Sequence, residues 1–236
     1  MDSQSRLSVI PKHLSKIKVL LLLIAFAPLF IMYADYRNGA LGIDPLDSII
    51  RATGRLSLLW LLITLTITPL RHLLTWLMVR IKAGYGKRTG DWNWIIKLRR
   101  MIGLLSAFYA ALHLGIYFWL DQGAHIANAL RDMLERPFLA VGMLAFLLLI
   151  PLTLTSTNNM MRLLRKNWRL LHRLIYLIAL LSILHFVMLT KVGVYTPYPY
   201  MLALFVLLGW RVWFALIPPS HKIPDNGMET PPRMAQ

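Results

Sequence analysis

The feature that most restricts the fold of this chain is a series of six apolar stretches separated by short polar segments. They occupy residues 19–33, 56–74, 101–120, 137–155, 171–190 and 200–217. All but the first have the length that a helix needs to cross the hydrocarbon layer of a membrane. With 57% hydrophobic and 15% charged residues, the chain cannot form a water-facing surface around these stretches. The sequence therefore predicts an all-α integral membrane protein, a bundle of six transmembrane helices.

The first apolar stretch resembles a signal peptide, because basic residues precede it and Ala25 and Ala27 form a small-residue site. Pro28 follows that site directly, however, and the apolar run continues beyond it. These two features favour an uncleaved first membrane helix.

The basic residues predict the orientation of the bundle. They concentrate in residues 1–18, 71–100 and 162–173, which alternate with the near-neutral segments 34–54 and 121–136. By the positive-inside rule, both termini then lie in the cytoplasm. The net charge of +16 is thus explained by membrane topology, and no nucleic-acid partner is expected. We expect a cytoplasmic N-terminal segment (1–18), a transmembrane domain (19–217) and a disordered Pro-rich cytoplasmic tail (218–236).

Two histidines lie deep inside apolar stretches, where an ionisable group is costly and indicates a functional site. With a rise of ~1.5 Å per residue, His113 lies about 18 Å and His185 about 20 Å from the cytoplasmic end of its helix. Two imidazoles at one level suit the two faces of a b-type haem, with His113 and His185 as axial ligands of the iron. The alternative is that each histidine merely hydrogen-bonds a neighbouring helix. The chain has no cysteine, which excludes thiolate ligands.

His172 is a further candidate haem residue, which could ligate a second haem near the cytoplasmic side. It precedes His185 by 13 residues, so its side chain is rotated by about 140° on an ideal helix. At the same depth in the membrane, the helix of the third stretch carries Arg99 and Arg100, and arginine is not an ordinary haem ligand. His172 could instead be an alternative ligand, a propionate contact, or part of a flavin or quinol site.

Two further groups of residues have more than one possible role. Ser106, Tyr109, Ala110, Ile116 and Tyr117 share the helix face of His113 and are candidates for the wall of a haem site, with ordinary packing or an interfacial position as the alternative for Tyr109 and Tyr117. The basic residues of 71–100 could hold the phosphate of a nucleotide cofactor, or they could only set topology and contact anionic lipid. No Gly-rich nucleotide fingerprint follows a strand, so no NAD(P)H domain is expected.

Several motifs resemble those of a known family. They are DPL at 44–46, TPLR at 68–71, RRMIGL at 99–104, PLTLTSTN at 151–158, LHR at 171–173 and LHF at 184–186. Over about residues 15–217 the chain is similar to the haem-binding membrane subunit of the bacterial protein-methionine-sulfoxide reductase system, the MsrQ or YedZ family. That family belongs to the ferric-reductase-like transmembrane group but lacks its appended flavin and nicotinamide domains.

The resemblance implies a multi-pass protein of the bacterial inner membrane that binds haem b and, toward the cytoplasm, FMN. Electrons would arrive from the quinone pool or a cytoplasmic flavin reductase. They would leave to a periplasmic molybdopterin-containing methionine-sulfoxide reductase, the catalytic subunit of a heterodimer, which repairs oxidised periplasmic proteins. His113, His172 and His185 fall on the haem-associated histidines of the family.

The leading hypothesis is therefore a membrane electron conduit whose partner performs the substrate chemistry. One alternative is a stand-alone ferric reductase. Another is a haem-free transporter or scaffold that uses the histidines for protons, although the sequence has no carboxylate within the apolar stretches to support it.

Overall fold

A computed structural model describes residues 14–191 and 193–216 of the chain. All regular secondary structure in these ranges is helical. A 3-10 turn, Thr89–Trp92, leads into the third helix, and a π-helical turn, Tyr117–Asp121, continues it. The eight α-helices are α1 (Leu14–Arg37), α2 (Pro45–Arg80), α3 (Asn93–Ile116), α4 (Ile126–Glu135), α5 (Pro137–Leu154), α6 (Asn158–Leu171), α7 (Leu174–Leu189) and α8 (Tyr198–Leu216).

Five of the described helical segments are long and apolar enough to cross a membrane: α1, α2, α3 with its flanking turns, α5 and α8. A sixth crossing requires α6 and α7 to count as one span, and these two helices meet at an angle of 52°. The fold is thus an all-helical multi-pass membrane protein. The expected disordered tail, 218–236, and most of the expected N-terminal segment, 1–18, lie outside the described residues.

The second helix is longer than its apolar stretch predicts. It contains 36 residues, which corresponds to about 54 Å against a hydrocarbon thickness of ~30 Å. It begins within the near-neutral segment 34–54, because the Asp44 side chain accepts a hydrogen bond from the amide of Asp47 and Pro45 occupies the first turn. The end of α2 that precedes the apolar stretch carries part of the functional site described below.

A proline inside a helix commonly kinks or ends it, yet α2 continues through Pro69 to Arg80. Proline has no N–H, so the carbonyl of Leu65 loses its partner one turn later. Arg211 of α8 donates to that carbonyl from Nη2 at 2.6 Å. The Leu65 carbonyl thus receives its hydrogen bond from a side chain of another helix, and α2 continues without interruption.

The core lies on both sides of α2, which packs chiefly against α3, while α5 packs chiefly against α7. The contact between α2 and α3 includes two reciprocal hydrogen bonds, from Ser57 Oγ to the Ser106 carbonyl at 3.0 Å and from Ser106 Oγ to the Ser57 carbonyl at 2.9 Å. Small side chains allow close approach of two helices, and these bonds satisfy polar groups away from water. They fix α3 against α2 about two turns before His113.

The basic segment 162–173, which lies between two apolar stretches, is largely helical and belongs to α6. Thr157 caps this helix by accepting a hydrogen bond from the amide of Met160 at 3.3 Å. Arg100 of α3 donates to the side chain of Asn158, at the start of α6. The two basic regions therefore meet at the same end of the bundle.

Candidate functional site

His113 on α3 and His185 on α7 face each other between helices, and their ring centroids are 6.3 Å apart. The depth estimated from the sequence had placed them at one level, and the structure brings the two rings together. Two imidazoles on opposite sides of one metal ion, with metal–nitrogen bonds of ~2 Å, have centroids separated by about 6 Å. The observed spacing is therefore compatible with a metal ion between the two rings, whose planes form an angle of 77°.

The backbone defines which nitrogen of each ring is free. Nδ1 of His113 lies 2.9 Å from the carbonyl oxygen of Ile50, and Nδ1 of His185 lies 2.7 Å from that of Phe138. A carbonyl can only accept, so each Nδ1 carries the proton and donates it. Nε2 then keeps its lone pair on both rings. Metal-binding histidines are commonly held in this way, with the second ring nitrogen donating to a carbonyl.

The same local arrangement holds both histidines. In an α-helix the carbonyl of residue i points toward residue i+4, so a side chain that reaches this carbonyl also meets the side chain of residue i+4. Four residues after Ile50 is Gly54 on α2, and four residues after Phe138 is Gly142 on α5. Each histidine thus contacts a carbonyl and a glycine on one turn of the neighbouring helix.

The two glycines are required for space. A Cβ atom at Gly142 would lie 2.7 Å from Nδ1 of His185, and one at Gly54 would lie 3.1 Å from Cε1 of His113. Glycine in a helix interior is destabilising relative to alanine, so it needs a compensating reason. Here the reason is the close approach of the imidazole ring. Neither glycine was predicted as a site residue. For Gly142, its position inside an apolar stretch was a usable signal, whereas Gly54 lies in the polar segment 34–54.

A cavity of about 630 Å³ contains both histidines. This volume is within the range of cofactor-binding pockets. Its deeper wall is mostly apolar, and charged residues line its mouth: Asp44, Asp47, Arg51, Arg55, Asp121, Arg136 and Lys191. Two of these cations are paired with carboxylates, Arg51 with Asp47 and Arg136 with Asp132.

The expected wall residues of α3 divide into two groups. Ser106, Ala110 and Tyr117 line the cavity. Tyr109 does not, because its fully buried side chain donates to the carbonyl of Ala25 on α1. Ile116 is not a lining residue either. A shared helix face therefore predicted only part of the wall.

His172 lies apart from the pair, at the end of α6. Its ring stacks on Trp168, with centroids 3.9 Å apart and an angle of 27° between planes, and its Nδ1 lies 3.1 Å from the Trp168 carbonyl. It is not among the residues that line the cavity. The structure therefore does not bring the three histidines into one site.

The cavity offers two imidazole nitrogens to a metal, so it suits a metal whose other ligands belong to a cofactor. Within residues 14–191 and 193–216, no group of three or more His, Cys, Asp or Glu side chains is placed to hold a metal ion. Two axial imidazoles suffice for a haem iron, because the macrocycle supplies the other ligands. The residues present thus fit haem better than a bare metal ion.

Comparison with known proteins identifies the family of the chain. The family model described as "Ferric reductase like transmembrane component" matches residues 53–183, a range that includes His113 and ends two residues before His185. A protein of Azospira oryzae is 38% identical over 204 residues, covering 86% of this chain and 81% of its own, and is named protein-methionine-sulfoxide reductase heme-binding subunit MsrQ. The chain belongs to the MsrQ family.

Two other relatives with the same name support the assignment. The MsrQ protein of Herminiimonas arsenicoxydans is 42% identical over 75% of this chain and 74% of its own. That of Xanthomonas euvesicatoria pv. vesicatoria is 45% identical over 75% of this chain and 73% of its own. The family resemblance inferred from the sequence motifs is confirmed. MsrQ membership also agrees with the helical membrane fold.

Proposed function

We propose that this chain is a membrane electron-transfer subunit that carries electrons through a b haem held by His113 and His185. The observation that carries the proposal is the facing pair of imidazoles, each with Nδ1 bound to a backbone carbonyl and Nε2 free. A haem in this environment exchanges one electron at a time. The names of the relatives, heme-binding subunit, support the same cofactor.

The residues of the cavity have separate roles in this proposal. The carbonyls of Ile50 and Phe138 hold the protons on Nδ1 and orient the rings. The apolar walls exclude water, which affects the reduction potential of an enclosed iron. At the mouth, Arg55 and Lys191 have no ion pair with a described carboxylate and are suited to hold the carboxylates of the macrocycle.

The direction of electron flow follows from the topology that we propose. Six spans, with α6 and α7 as one bent span, put both termini and both basic regions in the cytoplasm of a bacterium and the chain in its inner membrane. The mouth of the cavity then faces the periplasm. Electrons enter from the quinone pool or a cytoplasmic flavin reductase, through FMN, and leave toward the periplasm.

The acceptor in this proposal is a periplasmic molybdenum-dependent methionine-sulfoxide reductase, which forms a heterodimer with this chain and repairs oxidised proteins. The word subunit in the relatives' names supports a separate catalytic partner. The segments nearest to the mouth of the cavity, 121–136 and 191–199, form the docking side. The substrate chemistry belongs to the partner, so this chain has no catalytic residue of its own.

The proposal is tested on the detergent-purified chain by a reduced-minus-oxidised difference spectrum together with quantification of extracted cofactors. We expect the sharp bands of low-spin haem and, in the extract, haem b and FMN. A spectrum without low-spin bands would contradict the haem proposal. An extract with haem but without FMN would contradict only the flavin step.

His172→Ala provides a separate prediction. Because His172 lies outside the cavity and stacks on Trp168, we expect its loss to change the reduction potential or the flavin coupling more than the haem content. Redox titration and haem quantification on the same sample separate these effects. Full loss of haem from this variant would show that the pair His113 and His185 was the wrong choice.

The match to the ferric-reductase-like model supports one alternative function, reduction of ferric iron without a partner. The purified chain, supplied with a reductant, would then reduce ferric chelates at a rate that the periplasmic reductase does not change. Under the leading proposal, methionine-sulfoxide reduction requires both subunits.

A further inference from the structure

Three arginines meet at the end of the bundle opposite to the mouth of the cavity: Arg71 of α2, Arg99 of α3 and Arg211 of α8. All three are half-buried, and Arg71 and Arg211 are close enough to Arg99 for their charges to act on it. Like charges in a poorly hydrated region repel one another strongly. Such a cluster requires a counter-charge.

The partners of these side chains are all neutral. Arg71 Nη2 donates to the Thr89 carbonyl at 2.8 Å and to Asn93 Oδ1 at 2.7 Å. Arg99 Nη2 donates to the hydroxyl of Thr68. These bonds orient the guanidinium groups without neutralising them.

Arg211 is held in the same manner. Its Nη1 donates to the Leu207 carbonyl at 2.9 Å, Nη2 donates to the Leu65 carbonyl, and the group lies 5.3 Å from the centre of the Tyr176 ring. Leu65 and Thr68 are on one turn of α2, so Arg99 and Arg211 approach the same part of that helix. The three arginines, which come from three helices, are therefore each held in place by specific hydrogen bonds.

No carboxylate in the described ranges pairs with the cluster. The three ion pairs found there are Arg51–Asp47, Arg131–Glu135 and Arg136–Asp132, and all lie toward the other end of the bundle. The nearest acidic residue in sequence, Asp91, accepts from the backbone amide of Arg88. In addition, Nε of Arg71 and Nε of Arg99 are buried without a hydrogen-bond partner. An unpartnered buried donor of a charged group is destabilising.

We propose that Arg71, Arg99 and Arg211 form a binding site for a phosphate group. A phosphate supplies both the missing negative charge and acceptors for the two free Nε–H groups, and the planar guanidinium suits its geometry. The group can come from the head of an anionic phospholipid, which lies at this level of a membrane, or from a soluble phosphate monoester such as FMN. The site does not depend on the haem pair.

The test measures binding to the detergent-purified full chain by native mass spectrometry, with two pairs of probes. FMN is compared with riboflavin, and phosphatidylglycerol with diacylglycerol, so that each pair differs by its phosphate group. We expect the phosphate-bearing member of at least one pair to bind better. Preference within the first pair identifies a soluble monoester as the source, and preference within the second identifies a lipid.

Variants connect this binding to the cluster. Arg99→Gln and, independently, Arg71→Gln should weaken it by about tenfold or more, since each removes a charge-assisted contact. Arg162→Gln is the matched control, because it removes the same charge from an exposed position on α6. Haem content is measured on the same samples. Unchanged haem content in a variant shows that it is folded, so that a loss of phosphate binding is distinguished from a loss of haem. Equal binding within both probe pairs, or an equal loss in Arg162→Gln, would overturn the phosphate site.

Discussion

Replacement of either His113 or His185 by alanine is expected to abolish the low-spin haem spectrum of the purified chain. The centroids of the two rings are 6.3 Å apart. Because Nδ1 of each ring is bound to a backbone carbonyl, each ring can offer only Nε2 to a metal, so one histidine cannot replace the other. If the two rings hold a haem iron, loss of either ring would leave an open position on it, which would change the spin state and weaken retention of the haem. The measurement is the difference spectrum of each variant, with haem quantified per chain.

The control for this experiment is His72→Ala. His72 stacks on Phe214, with centroids 5.4 Å apart, and is not among the residues that line the cavity. Its removal should leave the spectrum unchanged. Added imidazole should restore low-spin bands to His113→Ala and His185→Ala, since a small ligand can occupy the space left by the ring. Normal low-spin bands in either variant without imidazole would refute the assignment of the axial pair.

The second large effect is expected from Gly142→Ala. The added Cβ would lie 2.7 Å from Nδ1 of His185, so the ring must move away from the Phe138 carbonyl that orients it. Loss of such an outer hydrogen bond typically weakens metal binding by about 10 to 100-fold. We expect a loss of that order in haem affinity, and a smaller loss for Gly54→Ala, where the closest approach is 3.1 Å. Haem titration of the apo-protein measures both.

Gly209→Ala on α8 is the matched control, since a Cβ there meets no atom within 4 Å. Replacing a helical glycine by alanine ordinarily stabilises the helix by about 0.5–1 kcal/mol. A loss of haem at Gly142 therefore cannot arise from helix propensity. The interpretation fails if Gly142→Ala and Gly209→Ala bind haem equally well.

Properties that depend on position along one helix could be predicted from the sequence. Hydropathy located the membrane stretches, although α2 extends beyond its stretch at both ends and α6 forms in the polar segment between two stretches. Depth, counted in residues from the end of a stretch, paired His113 with His185 and distinguished both from His172. Each of these inferences needed only the rise per residue and the free energy of burying polar groups.

Properties that depend on two helices were not predictable in this way. The wall of the cavity is one example, because Tyr109 shares a helix face with His113 and yet binds Ala25 of α1. The cluster of Arg71, Arg99 and Arg211 is another, since these residues are far apart in the chain and meet only through packing. Their proximity exists only in the folded protein.

The sequence by itself determined the membrane class of this protein, its family and the level of its two buried histidines. Only the tertiary structure decided what holds those histidines: the carbonyls of Ile50 and Phe138 and the space above Gly54 and Gly142. The physical reason is that hydropathy and helical rise act along one chain segment. The rotation of a ring and the choice of its hydrogen-bond acceptor, in contrast, depend on how closely a second helix approaches.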